Sequence, residues 1–396
     1  MTFVGVFGLL FALSAVYVAN IKGSRSRFVV FVLLYVMHAL AAVMYYFIAE
    51  TTGSDAHLYF YDYMRVYQRT TGLGTLFVVN IVQYSREAFG GTFFDYFMIF
   101  QAFGFWGLVF LAKALNEVFD ELEIEQPLLS YLPLFLPGLH YWTGAIGKDA
   151  PLFLGVSLAV WGCMRFNKRL PALGIAIMIM LAVRPHIAMV ALISLGGAAI
   201  LERRVKLWIK ALMVVGIFAG SGVVITSLDT TYAINVASVE SVSDFMSARS
   251  GVSEESGADL SIVQGNFPIK ILSLWLRPFF LDAENLMGYV ASMENVALLL
   301  IFAFLFKNYA RLMRLSRQVL FVRFSVLFFI MLTGLLAAVN FNVGLGLRQK
   351  MMAMPCLLIV LGAVLAMRAG QRAAAPPRIE GYFPSRHMPA AAPRAD

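Results

Sequence analysis

The chain has 396 residues, of which 60% are hydrophobic and 14% charged, and its mean hydropathy is +0.77. This composition excludes an ordinary soluble globular protein, and at roughly 20 apolar residues per crossing it leaves room for about ten membrane-spanning helices. The formal net charge of +8 is explained by cytoplasmic loops, which carry an excess of Lys and Arg in polytopic membrane proteins, so it does not indicate a nucleic-acid-binding protein.

Eleven apolar runs follow one another along the chain and predict an all-α, polytopic integral membrane protein with about eleven transmembrane helices. Several of the middle runs are shorter than the roughly 17–25 residues of a typical span, which favours tilted helices or polar residues at membrane depth. The runs cover residues 2–20, 28–48, 93–112, 128–143, 150–164, 170–183, 187–201, 207–227, 292–306, 318–339 and 351–367.

Basic clusters determine the predicted orientation. Each cluster follows an odd-numbered run, so an outside N terminus and a cytoplasmic C terminus place all of them in the cytoplasm. The acidic stretch 117–125 is an exception, but acidic residues contribute little to this rule. The clusters are Lys22/Arg25/Arg27, Arg165/Lys168/Arg169, Arg203/Arg204/Lys206 and Lys307/Arg311/Arg314/Arg317.

Two long loops are predicted on the outer side. The loop of about residues 49–92 contains an apolar stretch, residues 76–83, which is too short to cross and predicts a surface or re-entrant helix. The loop of about residues 228–291 is rich in Ser, Asp and Glu, which predicts a mobile segment. A single transmembrane domain therefore covers residues 1–372, and the Ala/Pro-rich residues 373–396 predict a disordered cytoplasmic tail.

Ionisable side chains near the hydrocarbon are costly unless they face water, a partner or a ligand, so their distribution is the strongest functional signal in this sequence. Under the predicted topology most of them lie at the outer ends of helices or in the outer loops. The sequence has neither a Gly-rich nucleotide phosphate loop nor a helical Cys/His pair, so we expect no cofactor and no metal.

Two pairs of polar residues interrupt the short middle runs. Lys148 and Asp149 occupy a turn, where Asp149 can cap a helix and Lys148 can reach headgroups, or where Lys148 can serve as a point charge for a phosphate. Arg184 and His186 flank Pro185 between two runs that no polar loop separates. Either the helix is kinked, or it is broken and lines a polar cavity in which His186 exchanges a proton.

Two further groups precede the ninth and eleventh runs. Arg277, Asp282 and Glu284 lie in an aromatic stretch, where anchoring in the aromatic belt explains the aromatic side chains but not the charges. Arg348 and Gln349 follow two closely spaced glycines, at which the backbone is expected to bend and to deliver both side chains over the outer mouth. Ordinary loop chemistry with interfacial cations is the alternative for this second group.

Asp55 follows the second run and is close in sequence to His57 and to several tyrosines. A carboxylate can take a hydroxyl proton while aromatic faces pack on sugar rings, so this stretch suits sugar binding and proton abstraction. A solvated loop with ordinary aromatic packing explains it equally well. Together, the outer-face arginines, lysine, histidine and carboxylates predict a site for a large, anionic, hydroxyl-rich ligand.

The outer-face motifs are Tyr141–Asp149, Val183–His186, Leu276–Phe279 with the Glu-Asn pairs at 284 and 294, and Gly346–Lys350. With them the sequence resembles bacterial membrane proteins of surface-polysaccharide assembly, especially Wzy-type oligosaccharide repeat-unit polymerases within the wider GT-C-like glycosyltransferases. The resemblance implies a multi-pass protein of the bacterial inner membrane with periplasmic outer loops. It also implies a polyprenyl-pyrophosphate-linked glycan as donor, contact with membrane lipids, a chain-length regulator and a flippase as possible partners, and no nucleic acid.

The resemblance also implies roles for particular residues. In such proteins arginines hold the pyrophosphate. Arg184, Arg277 and Arg348 have the required charge and lie on the predicted outer side, and guanidinium suits bidentate phosphate contacts. Asp55 stands where such enzymes carry a first-loop acid, and Asp55 and His186 are the expected catalytic residues. The expected substrate-binding residues are Lys148, Asp149, Arg184, Arg277, Asp282, Glu284, Arg348 and Gln349.

The sequence is also compatible with other functions. A lipid-linked O-antigen ligase or a single-sugar GT-C transferase would differ in the acceptor and not in the chemistry. A flippase-type transporter would be expected to carry ionisable residues along the middle of its spans and on both faces, and Asp and Glu are nearly absent from the centres of the runs.

The predicted topology can be tested by labelling introduced cysteines in intact cells. A membrane-impermeant thiol reagent should modify cysteines placed in the 240–260 loop and should leave those placed between Arg311 and Arg317 unmodified, because the two segments are predicted on opposite sides. The reverse pattern would place the collected charges in the cytoplasm, where they could meet nucleotide sugars, and would contradict the periplasmic site.

Overall fold

A computed structural model describes residues 2–20, 24–61, 72–203, 205–232, 266–283, 285–339 and 343–372. These residues form helices and no strand, as the predicted all-α class requires. Glu284, most of the second predicted outer loop and the predicted tail of residues 373–396 lie outside the described residues.

The described helices are numbered in chain order and are joined in two places by short 3₁₀ segments, Leu128–Phe135 and Phe166–Lys168. They are α1 (Phe3–Asn20), α2 (Arg25–Thr52), α3 (Asp55–Phe60), α4 (Thr75–Phe89), α5 (Phe93–Glu121), α6 (Pro137–Thr143), α7 (Asp149–Met164), α8 (Leu170–Val183), α9 (Pro185–Ile200), α10 (Leu207–Tyr232), α11 (Phe267–Leu276), α12 (Leu286–Lys307), α13 (Tyr309–Gln318), α14 (Leu320–Val339), α15 (Val343–Lys350) and α16 (Met354–Arg372).

Four of the described helices are long and apolar enough to cross a membrane, namely α2, α5, α12 and α14. The pair α15 and α16, bent by 54°, would be a fifth span if it crosses as one unit. Five more of the predicted runs form shorter apolar helices, α1, α7, α8, α9 and α10. The membrane-spanning character is therefore supported for four or five helices, and the number of eleven spans stays a prediction.

The fourth predicted run, residues 128–143, is not one continuous helix. It divides into the 3₁₀ segment and α6, with Leu136 in an extended conformation between them. Pro133 and Pro137 explain the division, because proline has no N–H to donate within a helix and fits best at a helix start. α6 begins at Pro137.

The first outer loop contains a longer helix than the sequence indicates. Residues 76–83 were expected to be helical, and α4 extends from Thr75 to Phe89. Its apolar face, which includes Val78 and Val82, is buried, and the N–H of Gly74 donates to the carbonyl of Ala182 (2.8 Å) at the end of α8. α4 is therefore attached to α8.

α5 lies at the centre of the described structure, packed against α1, α2, α7 and α16. Two glycines permit this close packing. A Cβ on Gly104 would lie 2.0 Å from the carbonyl oxygen of Thr143, and one on Gly107 would lie 2.6 Å from the ring of Phe153. Small residues commonly allow such close approach in membrane helix bundles.

Ion pairs sort to two opposite ends of the bundle. At one end, Arg27 near the start of α2 binds Asp120 near the end of α5 (2.9 Å), and Glu117 of α5 accepts a bond from Arg169 (2.7 Å), which follows α7. The other end contains the residues after α2, the start of α7 and the break between α8 and α9. The ends of α2, α5 and α7 are therefore grouped by these contacts, and the predicted membrane topology stays a prediction.

Candidate functional site

The site begins where α2 ends. Gly53 closes α2 with a φ of 75°, a conformation that favours glycine, and its N–H donates to the carbonyl of Ala49 (3.0 Å). Ser54 then caps α3 by accepting a bond from the N–H of Ala56 (3.2 Å). The end of α2 at Gly53 and the cap of α3 at Ser54 together place Asp55 in the first turn of α3.

The second component is the turn before α7. Asp149 is the first residue of α7, and Lys148 precedes it at the N-cap without a capping side-chain bond. Gly147 lies next to Arg348, since a Cβ there would be 3.4 Å from Nη2 of that arginine. The Asp149 side chain is 6% exposed, so a charged group is buried at the start of this helix.

Asp149 binds two arginines from distant parts of the sequence. Its Oδ1 accepts from Nη2 of Arg184 (3.2 Å), and its Oδ2 accepts from Nε of Arg348. Nη1 of Arg348 also donates to Oδ2 of Asp55 (2.5 Å). The four side chains form an ion-pair chain in the order Arg184, Asp149, Arg348, Asp55.

The ion-pair chain is buried at one end and open at the other. The side chains of Arg184 and Arg348 are 11% and 14% exposed, whereas that of Asp55 is 60% exposed. An exposed ion pair is worth little, typically below about 1 kcal/mol. Asp55 is therefore the partner that a competing anion from solvent can displace most easily.

Lys148 adds a third cation beside the ion-pair chain. Its Nζ donates to Oγ1 of Thr75 at the start of α4 (3.0 Å). Burial, and then repulsion by Arg184, lowers the pKa of Lys148 to about 8. The two arginines and two aspartates cancel in charge, so a protonated Lys148 leaves the group with a net charge of +1.

The structure thus brings together five of the ten residues singled out in the sequence, four of them by direct contacts and Lys148 beside them. Asp149 does not cap α7, since it is the first helical residue and binds the two arginines instead. α8 ends at Val183 and α9 begins at Pro185, so the chain is broken at Arg184. His186 is exposed in the first turn of α9. The catalytic and binding roles of these residues stay predictions.

Arg277 and Asp282 form a pair of their own after α11. Nε and Nη2 of Arg277 each donate to one oxygen of Asp282 (3.0 Å in both cases), and Asp282 also accepts from the N–H of Phe279 (3.0 Å). These bonds close a short loop, which explains charges that aromatic anchoring leaves unexplained. Glu284, the third member of this group, lies outside the described residues.

The expected bend at the glycines before Arg348 is wrong. α15 continues through Gly344 and Gly346, and the change of direction comes after Lys350. Gln349 is consequently not presented at a mouth but is 7% exposed, and its Oε1 has no hydrogen-bond partner among the described residues. Arg348 therefore lies on a helix, and its side chain is bound by Asp149 and Asp55.

The sequence did not assign roles to Lys350, Asn295 and Glu294. Lys350 is fully buried and donates to Oδ1 of Asn295 (2.5 Å), while Oε2 of Glu294 accepts from the N–H of Gly138 (2.6 Å). The available signal was a carboxylate and an amide in the first turn of the predicted span 292–306, which is a costly placement without a partner.

No protein-family model, curated protein or solved structure matches the chain. Among the described residues, no group of three or more His, Cys, Asp or Glu side chains is arranged to hold a metal ion.

Replacing Asp149 should destabilise the protein strongly. Asp149→Asn leaves two mostly buried guanidiniums without their shared counter-ion, and breaking a buried ion pair typically costs about 3–5 kcal/mol. The melting temperature of the detergent-purified protein should fall clearly. Asp282→Asn is the control, because the Arg277–Asp282 pair is one-quarter to one-third exposed and should contribute less than about 1 kcal/mol. Equal losses in the two variants would contradict a central role for Asp149.

Proposed function

We propose that the protein is a bacterial inner-membrane glycosyltransferase that polymerises or transfers polyprenyl-pyrophosphate-linked oligosaccharide units on the periplasmic face during surface-polysaccharide biosynthesis. The observation that carries the proposal is the ion-pair chain of Arg184, Asp149, Arg348 and Asp55, with Lys148 beside it. Guanidinium groups bind phosphate through short, charge-assisted hydrogen bonds, and a lysine adds a point charge.

The arrangement suits a ligand that arrives with its own negative charge. Asp149 keeps the two guanidiniums close together, so their mutual repulsion is offset before the ligand binds. An incoming pyrophosphate competes with the exposed Asp55 for Arg348, while the buried Asp149 stays in place. Pyrophosphate bound beside Lys148 also favours the protonated amine, because an adjacent negative charge raises the pKa of a lysine.

The displaced Asp55 can then serve as the base. In a single inverting displacement the acceptor hydroxyl oxygen attacks the anomeric carbon, the bond from that carbon to the phosphate oxygen breaks, and the polyprenyl pyrophosphate leaves with the bonding electrons. Asp55 takes the hydroxyl proton, and Arg184, Arg348 and Lys148 stabilise the leaving pyrophosphate. A lipid pyrophosphate is already activated, so the reaction needs no cofactor.

The topology that this proposal requires is eleven spans with an outside N terminus. The ion pairs at two opposite ends of the bundle support it, since the basic clusters around Arg27 and Arg169 fall at one end and the ion-pair chain at the other. The positive-inside rule assigns the first end to the cytoplasm. Membrane lipids, a chain-length regulator and a flippase are the proposed partners.

A flippase-type transporter is the second candidate. Glu294 and Lys350 are ionisable side chains buried in the described structure, and the pair α15 and α16 is bent by 54° directly after Lys350. Buried charges near a discontinuous helix are typical of transporters. Purified protein in proteoliposomes separates the two functions, because a transferase releases polyprenyl pyrophosphate from a lipid-linked glycan and a flippase moves that lipid unchanged. A ligase is distinguished from a polymerase by its acceptor.

Loss of the arginines should reduce transfer. Arg184→Ala, Arg277→Ala and Arg348→Ala should each lower the rate of polyprenyl pyrophosphate release by about tenfold to hundredfold, the effect of losing one hydrogen bond to a charged group. Arg314→Ala, at the predicted cytoplasmic side, is the control and should retain activity. Lysine should rescue poorly wherever the guanidinium makes two contacts with phosphate. Full rescue by lysine at all three positions would leave only a general electrostatic role.

The two catalytic candidates should separate donor binding from turnover. Asp55→Asn should abolish chain extension while the lipid-linked donor still binds, because the amide cannot accept the proton and no longer competes with phosphate as an anion. His186→Ala should weaken both donor binding and turnover if the imidazole contacts the leaving group beside Arg184. Polymer length and amount are measured in cells at matched protein levels. Unchanged polymer in Asp55→Asn would move the search for the base to Asp282 or Glu284.

A further inference from the structure

A buried amide in α12 connects two segments that carry predicted phosphate-binding arginines. Nδ2 of Asn295 donates to the carbonyl oxygen of Pro278 (2.7 Å), and Oδ1 of the same side chain accepts from Nζ of Lys350 (2.5 Å). Pro278 directly follows Arg277, and Lys350 lies two residues after Arg348. One side chain therefore joins the Arg277 loop to the Arg348 helix.

The orientation of the Asn295 amide follows from its partners. A carbonyl oxygen cannot donate a hydrogen bond and an ammonium group cannot accept one, so the nitrogen must face Pro278 and the oxygen must face Lys350. Asn295 and Lys350 are fully buried. Each bond is expensive to lose in that setting, because a buried polar group without a partner keeps its full desolvation cost.

A second side chain of α12 supports the same contact. Ser292 lies one turn before Asn295 and is also fully buried. Its hydroxyl donates to the carbonyl of Gly288 (2.8 Å) and lies 3.4 Å from the carbonyl oxygen of Pro278. Asn295 thus donates to the Pro278 carbonyl, and Ser292 lies close to the same carbonyl on the same face of α12.

Arg277 and Arg348 are each bound by a carboxylate that is partly exposed. The Arg277 side chain is held by Asp282, which is 32% exposed, and the open end of the ion-pair chain is Asp55, which is 60% exposed and binds Arg348. A phosphate oxygen can replace either carboxylate at little cost, because exposed ion pairs are weak. Each arginine therefore has an exchangeable partner, while a neighbouring residue, Pro278 through its carbonyl or Lys350 through its side chain, is bound to Asn295.

We propose that Asn295 is a positioning residue that sets the spacing between Arg277 and Arg348, so that the two guanidiniums contact a single pyrophosphate together. This inference rests on the proposed function and deepens it, because it assigns the recognition of two linked phosphates, as opposed to one, to the distance between the Arg277 loop and α15. A single phosphate needs only one guanidinium, so its binding depends less on that distance.

The first test measures the spacing itself. Spin labels are placed on cysteines at Leu281, which is fully exposed in the Arg277 loop, and at Gly344, which is exposed in α15. Asn295→Ala should broaden or shift the distance distribution between the labels. Asn308→Ala, at the residue directly after α12, is the matched control, since Asn308 is also buried, donates to a carbonyl and accepts from Arg311. It should leave the distribution unchanged.

The second test measures selectivity with two simple anions in the full-length, detergent-purified protein. Asn295→Ala should weaken binding of inorganic pyrophosphate by at least about tenfold, equivalent to about 1.4 kcal/mol, and should change binding of inorganic phosphate much less. Asn295→Asp gives an independent check, because it keeps the acceptor for Lys350 and loses the donor to Pro278. Asn295→Asp should also lower the preference for pyrophosphate over phosphate, while Lys350 keeps a hydrogen-bond acceptor.

The outcomes separate the inference from the function on which it rests. Altered label distances together with reduced pyrophosphate selectivity in both Asn295 variants support the inference. Unchanged distances, or unchanged selectivity in variants of a protein that binds pyrophosphate, overturn the inference alone. A wild-type protein that binds neither anion contradicts the proposed function.

Discussion

The carboxylate of Asp149 holds two guanidiniums from distant parts of the chain at the start of α7, and the geometry of the candidate site depends on this contact. Arg184 comes from the break between α8 and α9, and Arg348 comes from α15. Two cations would repel each other strongly in a mostly buried setting, and the shared carboxylate offsets that repulsion. The break, the helix start and α15 are therefore fixed relative to one another.

The same segments are held from outside the ion-pair chain. The backbone of Gly74 binds the last turn of α8, and Thr75 binds Lys148, so α4 stabilises the turn before α7. Lys350 binds Asn295 and thereby attaches α15 to α12. The helices are thus interrupted at places where neighbouring groups form hydrogen bonds with them. Irregular backbone within a membrane protein requires such partners, because lipid supplies none.

Helix direction explains how much of the site could be predicted from the sequence. Asp55, Asp149, Arg184 and Arg348 lie far apart in the chain, but the alternation of apolar runs placed all of them at one end before any contact was known. The structure brings these four side chains into direct contact. Their individual pairing could not be predicted, since which carboxylate meets which guanidinium depends on the packing of helices and not on local patterns.

The errors in the prediction have local causes. The run of residues 128–143 was interpreted by its hydropathy alone, and Pro137 begins a new helix within it. The glycines before Arg348 were expected to bend the chain, yet glycine only permits a bend, and α15 passes through both. The loop bonds between Arg277 and Asp282 were also not anticipated, because the stretch was interpreted only as aromatic anchoring or as a ligand site.

The most direct test of the account is a structure of the protein in nanodiscs with a bound polyprenyl pyrophosphate. The account predicts that the pyrophosphate lies within hydrogen-bonding distance of the guanidiniums of Arg184 and Arg348, that Asp149 still bridges them, and that Asp55 has left Arg348. A headgroup bound at the opposite end of the bundle, near Arg27 and Asp120, with the Asp55–Arg348 pair intact, would contradict it.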